Sequence, residues 1–289
     1  MSQKKEIKGT LIPIGGNEDK GHSEEENYEL DFITDGILSH IVNESGGTDA
    51  RIVIVPAASR IPIEVISSYR TAFTKLGCSN IDVLDIRDAK QSEDPAFIKK
   101  VEESDCMMFS GGDQSKIINK IAGTSIHNIL KDRYQNEDYV IAGTSAGAMM
   151  MAEEMIAGGS SKEALQKGAV IMRKGLGLIK SVIIDTHFVK RGRFGRLAEA
   201  VAGFPELIGL GLGEDTGLII KSCNEFKVIG SGMVIVFDGS QLTHNNHSIL
   251  DEGTPMSMSN MITHVLSNGD KFILDKRKIQ VLPLEEEFI

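Results

Sequence analysis

The chain has 289 residues, 41% of them hydrophobic and 25% charged, which is enough apolar material for one large α/β domain or two small ones. A net charge of −10 argues against a nucleic-acid surface, whose affinity rests on Lys and Arg neutralising phosphates. Cys78, Cys106 and Cys223 share no C-x-x-C spacing and read as reduced core thiols, no run approaches a membrane span, and the N-terminal residues lack a signal-peptide pattern, so a cytoplasmic protein is expected.

Strand-like and amphipathic segments alternate nearly to the end of the chain. Gly9–Ile14 is a first strand that empties into Gly15-Gly16-Asn17-Glu18-Asp19-Lys20, and Ser23 is placed to cap a helix whose first turn carries Glu24, Glu25 and Glu26. Arg51–Val55 reads as a buried strand, Pro62–Leu76 as a helix ended by Gly77, Ile81–Ile86 as a strand and Asp94–Glu103 as a helix. Cys106–Phe109 is a strand leading into Ser110-Gly111-Gly112-Asp113-Gln114. Helices follow through Ile117–Ile121 and Ile126–Tyr134.

The organising stretch is Tyr139–Met155. A short apolar strand meets Gly143-Thr144-Ser145-Ala146-Gly147, and a run rich in Ala, Met and Glu reads as a helix behind it. The G-x-S-x-G pattern in a strand–turn–helix context pushes the serine out above a sheet, where the helix N-terminus aims its N–H groups and dipole at the same point. Met149, Met150, Met151 and Met155 are expected to be core filler behind the turn. A loop at Gly158–Ser161 and a glycine-rich stretch, Gly168–Ile179, that matches no single period come next. Val182–Asp185 then leads as a strand into Thr186-His187-Phe188, and Phe194–Ala202 is helical. From Leu207 hairpin-like strands dominate: Leu218–Lys221, Phe226–Ile229, Val234–Phe237 and Lys271–Leu274. This order predicts an α/β fold with a mostly parallel sheet, helices on both faces and antiparallel strands added near the C-terminus. Residues 1–289 are read as one domain, with 225–289 a mostly β extension and Leu284–Phe288 a solvated acidic end.

Four polar clusters sit at predicted strand ends, where the working residues of such sheets gather: Gly15–Lys20, Gly111–Gln114, Thr144-Ser145 and Asp185–His187. A serine hydroxyl needs a base, and His187 is the histidine that directly follows a buried strand downstream of the turn. The acid that would fix its tautomer is Asp185, Glu214 or Asp215, and spacing does not choose among them. Ala146 N–H is one oxyanion donor, and Gly112, whose backbone can approach a carbonyl closely, is the second. Four cations, Lys190, Arg191, Arg193 and Arg196, fall within seven residues beside the histidine and suit an anionic substrate.

Together IGGNEDK (Ile14–Lys20), FSGGDQ (Phe109–Gln114), GTSAGA (Gly143–Ala148), DTHFVKRGRFGRL (Asp185–Leu197) and GLGLGEDT (Gly209–Thr216) resemble the cyanophycinases of the S51 serine peptidases, whose smaller relatives are the aspartyl dipeptidases, or peptidase E. The resemblance implies a three-layer α/β sandwich like that of class I glutamine amidotransferases. It implies Ser145 as nucleophile, His187 as base and Glu214 as orienting acid. Gln114, Asp185, Arg191, Arg193 and Arg196 then fall in the substrate pocket, with Asp113 or Asp185 receiving a substrate guanidinium. Thr186 departs from the family's usual glutamine, which removes an amide that could contact substrate. The implied reaction is release of β-aspartyl-arginine from the end of cyanophycin, with no metal or other cofactor, in a protein that is commonly a homodimer. Three other readings stand beside it: an aspartyl or isoaspartyl dipeptidase, a metallohydrolase using Asp185 and His187 with His244 and His247, and a non-catalytic binder that kept the fold.

Overall fold

The computed structural model describes residues 6–21, 30–159 and 163–281. The expected helix at Ser23–Glu26 and the acidic end at Leu284–Phe288 lie outside these residues. Along the chain run β1 (Thr10–Ile14), α1 (Ile37–Glu44), β2 (Ile52–Val55), α2 (Pro62–Lys75), β3 (Ile81–Val83), α3 (Pro95–Glu102) and β4 (Cys106–Phe109). Next come α4 (Gln114–Ile121), α5 (Ser125–Asn136), β5 (Val140–Thr144), α6 (Ala146–Met149), β6 (Glu154–Gly159), β7 (Val170–Lys174), β8 (Val182–Asp185) and α7 (Phe194–Gly203). The remainder is β9 (Ile208–Leu212), β10 (Thr216–Lys221), β11 (Glu225–Gly230), β12 (Val234–Asp238), β13 (Ile262–Leu266), β14 (Lys271–Ile273) and β15 (Lys278–Gln280).

Nine strands form the central sheet in the order β15-β14-β11-β10-β1-β5-β4-β2-β3. The half from β1 to β3 is parallel and the half from β10 to β15 antiparallel. Strand alternation explains the layers. Ile12, Ile14, Ile52, Ile54, Met108 and Ala142 face α1 and α2, in one core that includes Tyr69 and Phe73. Leu11, Val53, Val55, Met107, Phe109 and Ile141 face the other way, in a second core shared with Ile117, Ile126 and Leu130. That core continues into a separate four-stranded sheet, β13-β12-β9-β8. The α/β sandwich with added antiparallel strands is therefore what the chain forms. Of the added strands, β10, β11, β14 and β15 extend the central sheet at one edge, while β12 and β13 join β8 and β9 in the second sheet.

Local signals act where expected. Asp94 caps α3 by accepting from Ala96 N–H at 2.8 Å, with Pro95 in the first turn. Gly77, at φ +90°, ends α2 in the left-handed region. Cys78 and Cys106 are buried and Cys223 half-buried, all as thiols, and burial pushes the Cys106 thiol up to about 12. No helix among the described residues is long and apolar enough to cross a membrane.

The helix behind the turn departs from expectation. It is α6, a single turn, and Met155 lies on strand β6. Leu176 N–H donates to Met150 O at 2.8 Å and Leu178 N–H to Met151 O at 2.9 Å, which occupies the carbonyls a second turn would use. The four methionines are still core residues, each at most 3% exposed. One turn sums few peptide dipoles, so the pull on the serine comes from individual N–H groups rather than a long macrodipole.

Candidate active site

β1 and β5 run parallel with Ile14 opposite Thr144, and Phe109 at the end of β4 lies opposite Gly143. This places Gly15, Ser110-Gly111 and Ser145 side by side at one edge of the central sheet. β8 and β9 end together in the second sheet, so Asp185–His187 and Gly213-Glu214 also emerge as neighbours. The exit loop of β1 joins the two groups. Three successive carbonyls accept from the three segments of interest: Ile14 O from Ser145 N–H at 2.9 Å, Gly15 O from His187 N–H at 2.8 Å and Gly16 O from Asp215 N–H at 2.9 Å.

Ser145 sits at φ 53°, ψ −109°, a conformation that costs a non-glycine residue about 1–3 kcal/mol and persists only where the surroundings over-determine it. Its carbonyl accepts from Ala148 and Met149 N–H, both at 3.0 Å. The flanking glycines serve close packing rather than supplying the strained angle. A Cβ on Gly143 would lie 2.3 Å from Gly147 O, and one on Gly147 2.4 Å from Phe109 O. Among the described residues, no hydrogen bond is made by the N–H of Gly112 or Ala146, and Gly111 adjoins the Ser145 side chain.

Ser145 Oγ lies 3.1 Å from His187 Nε2, and His187 Nδ1 lies 2.9 Å from Glu214 Oε1. Of the three acids that spacing left open, the fold brings Glu214 to the ring. Asp215 turns away, accepting from Asp19 N–H at 3.1 Å and Ser231 Oγ at 2.5 Å. Lys190 Nζ donates to Glu214 Oε2 at 2.9 Å. Burial pushes the Glu214 carboxyl up, but the hydrogen bonds from Lys190 and His187 prevail and hold it below the ordinary carboxylate range. An ionised Glu214 accepts from Nδ1–H and leaves Nε2 free to accept the serine proton.

The cation run divides in two. Asp185 is fully buried, takes Arg196 through both carboxylate oxygens, with Nε to Oδ2 at 2.8 Å, and takes Arg193 Nη1 at 3.1 Å. Removing one member of such a cluster would strand a buried charge, at a cost of about 3–5 kcal/mol. Its carboxylate is thus committed within the protein rather than open to a guanidinium. Thr186 is also fully buried, donating its hydroxyl to Met149 Sδ at 3.4 Å, so its departure from glutamine lies in the core. Arg191 stays exposed on the turn begun by its own N–H to His187 O at 3.0 Å. Asp113 caps α4 through Ser115 N–H at 2.9 Å, and Gln114 Nε2 donates to Ile156 O at 2.8 Å. His244 Nδ1 lies 3.0 Å from Ser259 Oγ, and no three His, Cys, Asp or Glu side chains gather as metal ligands among the described residues.

Two participants were not singled out from sequence. A Cβ on Gly16 would stand 2.3 Å from His187 Cε1, so only glycine lets the β1 exit loop lie flat against the imidazole. The other is the buried Glu18, two residues on. Paired glycines followed by an acid at the end of a buried strand were the available signal.

The sequence pattern of peptidase family S51 matches residues 23–227, more than half of the chain. The chain belongs to peptidase family S51. It is therefore a hydrolase of the peptidase class, and the serine at the turn fits that family. A cyanophycinase of Geminocystis herdmanii is 36% identical over 269 residues, covering 93% of this chain and 95% of its own. Those of Nostoc sp. and Synechococcus elongatus are 36% and 31% identical, each across 94% of this chain, covering 88% and 81% of their own lengths. The fold is shared with a peptidase from an acI-B1 Actinobacterium, at TM-score 0.63 and 20% identity over 94% of this chain and 98% of that one. A putative Peptidase E protein from Listeria monocytogenes gives 0.51 and 13%, over 77% and 98%.

In this S51 peptidase the His187 pKa lies below its ordinary 6.5. Burial is the main cause; the Glu214 hydrogen bond opposes it and the Arg191 charge adds to it. A histidine acting as base at this position has to be neutral, so on that reading kcat/KM is expected to fall away as pH drops through a value below 6.5. Arg191→Met removes a charge that disfavours the imidazolium, and the acid limb should move toward higher pH. A pH–rate profile of both proteins checks this; a limb that stays put or moves lower contradicts it.

Proposed function

We propose that this S51 peptidase is a serine exopeptidase that hydrolyses cyanophycin to β-aspartyl-arginine, with Ser145 as nucleophile, His187 as base and Glu214 as orienting acid. The observation that carries the mechanism is the unbroken contact from Ser145 Oγ to His187 Nε2 at 3.1 Å and from Nδ1 to Glu214 at 2.9 Å. The substrate rests on similarity to cyanophycinases across most of both chains.

His187 Nε2 takes the Ser145 proton as Oγ attacks the aspartyl backbone carbonyl. The N–H groups of Gly112 and Ala146 receive the oxyanion. The imidazolium then protonates the leaving amine, and the C–N bond breaks. A water, deprotonated by the same nitrogen, attacks the acyl carbon; the C–Oγ bond breaks, Ser145 Oγ takes the proton back from His187, and the product carboxylate leaves. Arg191, outside the Asp185 cluster, grips a substrate carboxylate, and Asp113, next to Gly112, receives the substrate guanidinium. Gln114 presents its remaining amide oxygen at the same rim. Arg193 and Arg196, locked to Asp185, form the cationic floor beneath them.

The test is mass spectrometry of products after incubation with cyanophycin and, separately, with α-aspartyl dipeptides. Release of β-aspartyl-arginine is expected. Cleavage of the α-aspartyl dipeptides alone would move the protein to the aspartyl dipeptidase side, and no cleavage of either would overturn the reading.

A further inference from the structure

Glu18 is 2% exposed, yet it carries a carboxylate beneath the turn that presents Ser145. Thr144 Oγ1 donates to its Oε2 at 2.6 Å, Tyr69 OH of α2 donates to its Oε1, and Lys20 Nζ stands 2.8 Å from the same oxygen. Burial alone would push this carboxyl up, but the Lys20 charge and the hydroxyl donors hold it below the ordinary range, so it is an anion at neutral pH. An apolar side chain could fill the same space without the desolvation cost of a charge. What the carboxylate adds is a charge-assisted hydrogen bond to the residue just before Ser145.

We propose that Glu18 is a positioning residue for the nucleophile: through the Thr144 hydroxyl it fixes the last residue of β5, and with it the left-handed backbone that holds Ser145 Oγ against His187. The end of β1 and its exit loop then grip the turn twice, by Ile14 O on Ser145 N–H and by Glu18 on Thr144. Neither Glu18 nor Thr144 is exposed enough to meet substrate, at 2% and 6%, so their effect falls on the chemical step and not on binding. The proposal rests on the reading of Ser145 as nucleophile.

The experiment compares Thr144→Val, Thr144→Ser and Glu18→Gln with wild type and Ser145→Ala. Its first readout is the rate at which diisopropyl fluorophosphate modifies Ser145. There Oγ bonds to phosphorus, fluoride leaves and His187 takes the proton. The second readout is kcat and KM on cyanophycin, all per folded molecule by circular dichroism. Thr144→Val is expected to react roughly ten- to a hundredfold more slowly, the cost of a small misplacement of a reacting atom, with kcat reduced in parallel and KM within about twofold. Thr144→Ser keeps the donor and should stay within about threefold of wild type. If Thr144→Val does not fold, Glu18→Gln carries the test, with a loss of about fivefold or more in the same rate. Modification at the wild-type rate in the folded variants, or a loss that appears in KM alone, overturns the proposal while leaving the nucleophile in place. No modification of wild type would overturn the serine reading, and this inference with it.

Discussion

On the proposed mechanism Ser145→Ala is expected to reduce turnover by about a millionfold, the loss seen when the nucleophile of a serine peptidase is removed. The residual rate should still exceed that in water, because the Gly112 and Ala146 N–H groups and the substrate contacts remain. Stability should change by no more than about 1 kcal/mol. Alanine inherits the same left-handed backbone at φ 53°, and all that is lost is one hydroxyl and its contact with His187. Steady-state rates, with thermal unfolding of both proteins, check the two parts together. Retention of more than about one per cent of activity would sink the mechanism, since the reaction would then not depend on the Ser145 hydroxyl.

Glu214→Gln should cost up to about 10⁴ in kcat, because the amide can present its NH₂ to Nδ1 and so place the ring proton on Nε2, the wrong tautomer for accepting from serine. The geometry makes this specific to one acid. Glu214 touches Nδ1 at 2.9 Å, whereas Asp185 is closed around Arg193 and Arg196 and Asp215 around Asp19 and Ser231. Lys190, whose side chain is 69% exposed, can be solvated when it loses this anion, so the fold should tolerate the substitution while the ring keeps its place in the wrong tautomer. Measured kcat with unchanged circular dichroism is the expected pair of results. A loss below about tenfold would mean that another group orients His187.

Much of this site is legible residue by residue. The strand, the turn and Ser145 at its apex follow from an apolar run meeting small residues, and the fold places them there. His187 was legible because a histidine directly after a buried strand has few other places to point. The cation run was visible too, but its division was not. Arg193 and Arg196 look like Arg191 in sequence, and only the burial of Asp185 beside them turns two of the three guanidiniums inward. Thr186 likewise reads as a rim residue until β8 and Met149 are seen to enclose it. The run after the turn reads as a longer helix because Ala, Met and Glu favour helix locally, but Leu176 and Leu178 arrive from a distant segment and take the carbonyls a second turn needs.

Burial and local form are carried by short stretches of sequence: most strands of the central sheet, where they end, and the polar side chains that gather at those ends, though not β6 or β7. Periodicity and turn chemistry act over a few residues, so they survive without knowledge of the fold. Pairing belongs to the folded chain. The second sheet, the three carbonyls of Ile14, Gly15 and Gly16 that hold Ser145, His187 and Asp215, and the approach of Glu214 to the imidazole all join residues far apart in the chain. A buried strand carries no mark of its partner, because every backbone offers the same N–H and C=O to any neighbour.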